Sequence, residues 1–374
     1  MKKLICLFIA LCLSLAAFAT VRTVSSNPST LGQHSNIQAA VDISNDGDTI
    51  YVYGSPNTYP SFTIVDKRLT IIGPGWAPDK NIPLQAIVSG CILRNTGGAG
   101  SPAGSELQGI VFVNPVTLSQ NGGGSDSGFG NLRLIRCQFN SSVSFHFSAS
   151  DVLFEGCVFY NSLIFETSMT YQNFLIQNNM FFFSVCCLTN MVSGLTNAFN
   201  VRFDHNLFYS SNNGTGANVM IFSGNCRFLD FSNNIFNQAN VGENVSLSTF
   251  NNNITNNATL NSAFATSNGT PWAVNSNVNG GGNITNQNPQ MADQSPANAG
   301  NGTPTLNFTI AAGPANTSGS DGKDMGLLFD SVGSLNWTNS RNSRLPRIYS
   351  MNITTPTVAA GSSLSVTVEA RKSN

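Results

Sequence analysis

One six-residue phrase recurs along the chain, and it limits the possible folds more than any other feature. It reads apolar–x–x–(Asn, Cys or apolar)–x–Phe. The copies are LQGIVF from Leu107, LIRCQF from Leu134, FEGCVF from Phe154, IQNNMF from Ile176, FDHNLF from Phe203 and FSNNIF from Phe231, with a weaker FNNNIT from Phe250. Their starts lie 27, 20, 22, 27, 28 and 19 residues apart. An irregular period of this size belongs to a solenoid whose coils share a core segment and differ in loop length.

Within the copies the apolar residues alternate, as in Leu132/Leu134, Val152/Phe154, Val201/Phe203 and Leu229/Phe231. That is the period of a strand. Phe, Val, Thr and Asn dominate, and good helix formers are sparse. Asn and Gly punctuate the strands as turn residues. One strand–turn–strand unit cannot bury its own face, but stacked coils can, each bonding to the coils above and below. Stacking sets like over like. It predicts an amide ladder of Asn179, Asn206, Asn234 and Asn253, with Cys137 and Cys157 in the same column, and a Phe column of Phe139, Phe159, Phe181, Phe208 and Phe236.

Composition agrees with a buried core. Charged residues make up only 9%, which on its own would suit disorder, but hydrophobic residues reach 41% and Phe alone counts 26. Lys+Arg 17 nearly balance Asp+Glu 18, and no basic run exists, so nucleic acid is not an expected partner.

The N-terminus supplies Lys2 and Lys3, an apolar Leu4–Leu15 and a small-x-small Ala17-Phe18-Ala19. This is the pattern of a signal peptide over 1–19, too short to span a membrane, and no later stretch is long enough. The expected location is extracellular or on the surface of a bacterium. Leu11 stands where a lipoprotein reading of Cys12 needs a small residue. Cleavage leaves six cysteines, Cys91, Cys137, Cys157, Cys186, Cys187 and Cys226, without a C-x-x-C pair, so buried thiols are expected and zinc is not.

The segment IQAAVDISNDGDTIYVYGSPNTYPSFTI, followed by LTIIGPG, resembles the opening of secreted right-handed parallel β-helix proteins of the pectin-lyase-like group. The Asn–Phe phrases are similar to their coils. NPQMADQ, continuing to GSDGKDMGLL at Leu328, is similar to the segment that ends such helices in many bacterial surface proteins. The resemblance spans roughly 30–330. The expected fold is all-β: a right-handed parallel β-helix over 20–330, with an N-terminal helical cap from Ile37, Ala40 and Val41, and a C-terminal β tail over 331–374. About 11 or 12 coils at about 4.8 Å each give a rod roughly 55 Å long. Residues Asn251–Asn307, dense in Asn, Gly and Thr, read as a long loop excursion.

The alignment places Arg133, Arg202 and Asp230 at one outward position. Glu155, Gln177 and Asp204 stand at the next, and Arg136, Asn178, His205 and Asn233 at a third. Glu155, Asp204, His205 and Asp230 are the catalytic candidates. Arg133, Arg136, Gln177 and Arg202 are the binding candidates. The resemblance implies an architecture that hosts polysaccharide lyases, glycoside hydrolases, adhesins and tail spikes. A lyase of that group needs carboxylates to hold calcium, which takes six to eight oxygens, and Glu155, Asp204 and Asp230 are spread over roughly 5–15 Å of stack. A hydrolase needs carboxylates roughly 5–9.5 Å apart, and Asp204 with Asp230 on adjacent coils, helped by His205, is the pair to test. The plainer account makes these residues solvated decoration of a sheet face, with Arg136 and Glu155 a surface ion pair and His205 in an exposed, tolerant slot. Low charge and the missing carboxylate cluster favour a non-catalytic module that binds a polysaccharide or cell-surface glycan, or a purely structural module of a cell envelope. The alternative is the enzyme. No cofactor is expected, calcium is the one ion the resemblance brings, and the oligomeric state stays open.

Overall fold

The computed structural model describes residues 19–77, 84–98, 100–120, 129–183, 190–210, 221–239, 241, 244–256, 269–294, 303–329, 336–337, 347–353 and 366–371. The expected signal peptide, apart from Ala19, and Cys186 and Cys187 lie outside the described residues.

The chain visits three parallel sheets in turn, coil after coil. The first sheet runs in chain order from Val21–Val24 to Val278–Gly281 through eleven strands. The second runs through eight strands from Ile87–Val88 to Ile254–Asn256, and the third through seven from Phe62–Val65 to Phe222–Ser223. Register matches the repeat residue for residue, since Leu134, Phe154, Ile176, Phe203, Phe231 and Phe250 pair successively. This is a parallel β-helix.

Its interior is built from stacked columns. Phe112, Phe139, Phe159, Phe181, Phe208 and Phe236 stack with ring centroids 5.7, 5.0, 4.5, 4.7 and 5.1 Å apart. Each such pair adds about 0.5–1.5 kcal/mol beyond the area it buries. The amide ladder forms as the alignment predicts. Asn206 Oδ1 accepts from the backbone and side-chain nitrogens of Asn179 at 3.0 and 3.1 Å, and Asn234 serves Asn206 in the same way at 2.9 and 3.0 Å. Asn253 continues the ladder, and Asn283 extends it by one more rung. Where the column holds cysteine, the thiols of Cys137 and Cys157 donate to the carbonyls of Leu107 and Leu134. Cys91, Cys137, Cys157 and Cys226 are all buried free thiols.

Asn283 belongs to an eleventh coil inside the stretch expected to be a loop excursion. Val278–Gly281 pairs with Thr249–Asn251, and Ile284 bridges to Ile254. Just before Val278–Gly281 in the chain, Trp272 packs on Phe250 of the tenth coil with ring centroids 6.3 Å apart. Toward the other end, helix α1 (Ile37–Ile43) is N-capped by the Asn36 side chain, which accepts from Ala39 N at 2.8 Å. Ile37, Ala40 and Val41 enter the interior core, and the Gln38 amide pairs with both backbone groups of Thr63.

A second core lies outside the helix. The outward residues of the second sheet (Val111, Val158, Met180, Leu207, Ile235 and Ile254) are buried beneath Met291, Phe308, Ile310, Met325, Leu327 and Trp337. The segment similar to a terminal one therefore does not end the stack; it lies along its flank. Asn252 Nδ2 donates to Ser318 O, Ser320 N and Gly326 N donate to Asn233, and Leu328 N donates to Asn178 Oδ1, so the segment descends from later coils to earlier ones. Lower still, Trp337 meets Trp76 with centroids 5.1 Å apart. At the C-terminus, Arg347–Ile353 and Val366–Arg371 form an antiparallel pair. Among the described residues no helix is long and apolar enough to cross a membrane.

Candidate functional site

The candidate residues sit on the first sheet and at the turn into the second. On seven successive coils that turn holds one residue in the left-handed region, and the column reads Gly109, Arg136, Gly156, Asn178, His205, Asn233 and Asn252, with φ of 61, 52, 64, 53, 52, 59 and 51°. Gly and Asn reach this region at little cost. Arg136 and His205 therefore adopt the left-handed conformation because the turn demands it.

The expected exposure of this column is corrected. Arg136 is 2% exposed and His205 4%, because the flanking segment and the Trp76 loop lie over them. Glu155 is buried as well, so Arg136 and Glu155 are not a surface pair. Burial pulls the Arg136 guanidinium below its ordinary value, and the neighbouring charge of Glu155 opposes that shift. Gln177 Nε2 donates to Glu155 Oε2 at 2.8 Å.

Asp204 is the hub of the site. Its carboxylate accepts from Arg202 Nη2 at 2.9 Å, Ser232 Oγ at 2.9 Å and Asn233 Nδ2 at 2.9 Å, and lies 3.0 Å from His205 Nδ1. Burial pushes its carboxyl up, but His205, Arg202 and Asn233 together hold it below the usual value. The other ring nitrogen of His205 faces Asp321 Oδ1 of the flanking segment at 3.5 Å. The alignment from the coils alone gives no hint of Asp321.

The outward row holds Arg133, Leu153, Leu175, Arg202, Asp230, Thr249 and Val278 on successive coils. Arg133, Arg202, Asp230 and Val278 are exposed. Arg133 Nε lies 3.7 Å from Glu106, and partial burial raises the Asp230 carboxyl while Arg202 opposes the shift. Asp230 pairs in register with Arg202 and Asp204 with Ser232, so the two carboxylates stand diagonally on either side of Arg202. Among the described residues no cluster of three His, Cys, Asp or Glu could hold a metal, so the acidic groups present do not build a calcium cage.

A second left-handed column leads into the first sheet. It holds Asn131, Asp151, Asn173, Asn200, Phe228, Leu247 and Asn275, with φ of 55, 57, 54, 52, 60, 52 and 53°. Every one of these residues is exposed. Asn173 Nδ2 donates to Asp151 Oδ1 at 3.0 Å and Asn200 Nδ2 to Asn173 Oδ1 at 2.9 Å, forming a ladder on the outside of the helix. The repeat alignment, drawn on inward residues, passes over this column. Its signal in the sequence is the Asn or Asp placed just before the strand's first inward residue. Trp76, Trp272 and Trp337 are all buried, so none presents its ring to a sugar. Comparison with protein-family models, curated proteins and solved structures finds no match for this chain.

Proposed function

We propose that this chain is an exported, non-catalytic β-helix that binds a glycan along the outer face of its first sheet. The observation that carries this reading is the solvent-facing ladder of Asp151, Asn173 and Asn200 beside the open row of Arg133, Arg202 and Asp230. Side-chain amides at a spacing of about 4.8 Å offer paired donors and acceptors to the hydroxyl groups of a polymer. The engagement of the carboxylates also supports it. Asp204 is committed to Arg202, Ser232 and Asn233, and Glu155 to Gln177. An acid or base at a glycosidic bond has to reach its substrate.

A second reading makes the chain a carbohydrate-active enzyme of the pectin-lyase-like group. The half-buried Asp204 beside His205 favours it, since such a pair can exchange a proton. One assay separates the two. The purified mature chain is offered plant, algal and host polysaccharides, with and without calcium, while new reducing ends, unsaturated uronates and retention are followed together. Retention without turnover is the expected result. Turnover that disappears in Asp204→Ala would replace this reading with the enzymatic one, and neither retention nor turnover would leave a structural rod.

A further inference from the structure

Two residues of the outer left-handed column break its rule. Asn and Asp enter that conformation readily, but a bulky apolar residue there is an outlier. Phe228 and Leu247 adopt it on consecutive coils, at φ 60° and 52°. The pairing of Cys226–Arg227 with Val245–Ser246 sets one directly beside the other. Neither is repaid by burial, since Phe228 is 48% and Leu247 47% exposed, and neither joins either hydrophobic core. Phe199, just before Asn200 on the preceding coil, is 59% exposed. The fold gains nothing visible from these side chains, and Asn would relieve the backbone at both Phe228 and Leu247. A strained, exposed apolar group kept at such a cost points to a ligand.

What covers the patch can be read from its surroundings. Phe228 and Leu247 continue the column in which Asp151, Asn173 and Asn200 present their ladder. The surface therefore passes, one coil at a time, from a hydrogen-bonding edge to an apolar platform. A sugar ring has the same two sides, a rim of hydroxyls and a flat face of C–H bonds. Four of the five groups (Asn173, Asn200, Phe228 and Leu247) lie in one line along the stack, with Phe199 beside them, and none of the five is charged; Asp151, next along the line, accepts from Asn173 Nδ2. We infer that Phe199, Phe228 and Leu247 form a stacking platform which, with the amides of Asn173 and Asn200, holds an uncharged polysaccharide running parallel to the solenoid axis. This rests on the glycan reading proposed above and gives it a place and a ligand class.

The test uses the full mature chain and the double variant Phe228→Asn/Leu247→Asn, with Phe199→Ser as a second variant. Affinity electrophoresis in xylan, galactomannan, laminarin and polygalacturonate gives the retention, and a thermal melt is run on every sample. The expected result is retention by at least one of the three neutral polymers, weakened about tenfold in the double variant, which is about 1.4 kcal/mol. The double variant should melt no lower than the parent, because Asn suits the backbone better. Undiminished retention of both variants on a neutral polymer would overturn the platform and leave the glycan reading standing. A lower melting temperature in the double variant would make the residues structural and overturn the inference. Retention by polygalacturonate alone would refute the uncharged ligand, and no retention of the parent chain on any polymer would sink the platform together with the reading beneath it.

Discussion

The amide ladder makes a quantitative claim at Asn206, which is fully buried. Its side chain makes four hydrogen bonds. Oδ1 accepts from Asn179 N and Asn179 Nδ2, and Nδ2 donates to Ile176 O at 2.8 Å and to Asn234 Oδ1 at 3.0 Å. Asn206→Ala removes all four, with unequal consequences. Asn179 Nδ2 keeps the Phe154 carbonyl, and Asn234 Oδ1 keeps the backbone of Asn206. The Asn179 backbone N–H loses its partner in a dry interior, which costs about 1–3 kcal/mol, and the lost net bonds add about 0.5–1.5 kcal/mol each. With the three other lost bonds, a total of about 2.5–7.5 kcal/mol follows. Asn206→Cys should fall between the parent and alanine. Cys157 shows that a thiol in this column can donate to the carbonyl of the preceding coil, at 3.2 Å from Leu134 O, but it would leave the Asn179 N–H unmet. Urea unfolding followed by circular dichroism reads the order, and hydrogen exchange at the Asn179 amide reads the cause. In a solenoid the loss is felt first by neighbouring coils, so exchange should quicken around Asn179 before the ends respond. An alanine variant within about 1 kcal/mol of the parent, or an Asn179 amide that stays protected, would refute the ladder as a source of stability.

Three further outcomes are expected. Phe159→Ala, which removes a ring stacked at 5.0 and 4.5 Å on its neighbours, should cost about 3–5 kcal/mol in the same unfolding assay. Burial pushes the Cys137 thiol up to about 12, the Cys226 thiol to about 11 and those of Cys91 and Cys157 well above their ordinary value, so peptide mapping after aromatic-disulfide treatment at mildly alkaline pH should find these four unmodified until the protein is denatured. Asp204 has a depressed pKa in the fold, so its contribution to stability is present above the unfolded value of about 3.9 and is lost as pH falls through the lower folded one. Asp204→Asn should therefore lower stability near neutrality and flatten the acid limb of a melting-temperature profile, and an unchanged profile would contradict the hub.

How far the molecule could be read in advance depended on whether a residue faced inward. The inward Phe and Asn columns were legible because stacking forces each coil to repeat them. The eleventh coil is harder to read, although Asn283-Ile284-Thr285 repeats Asn253-Ile254-Thr255, because Asn279 stands where the phrase opens on an apolar residue and the register shifts by one before Gly281. The position before the terminal Phe, open in the phrase, holds Val111, Val158, Met180, Leu207, Ile235 and Ile254, with Gln138 the one polar exception among these coils. A strand apolar on both faces has to be covered on both. That signal was present, and it announced the second core without saying what would supply its other half.

The sequence by itself determined the repeating unit, the parallel stacking and the interior columns, because these follow from the period and from burying one face of each coil against the next. Tertiary structure alone decided what happens on the outside. Residues 303–329 turn back along the flank, covering His205 and bringing Asp321 to 3.5 Å from its ring. That contact joins residues 116 positions apart, and nothing periodic relates them. The same holds at the outer left-handed column. The order of residues shows Phe228 and Leu247 as two apolar letters among many, and only the backbone angle and the exposure of each side chain reveal that the fold spends stability to keep them there.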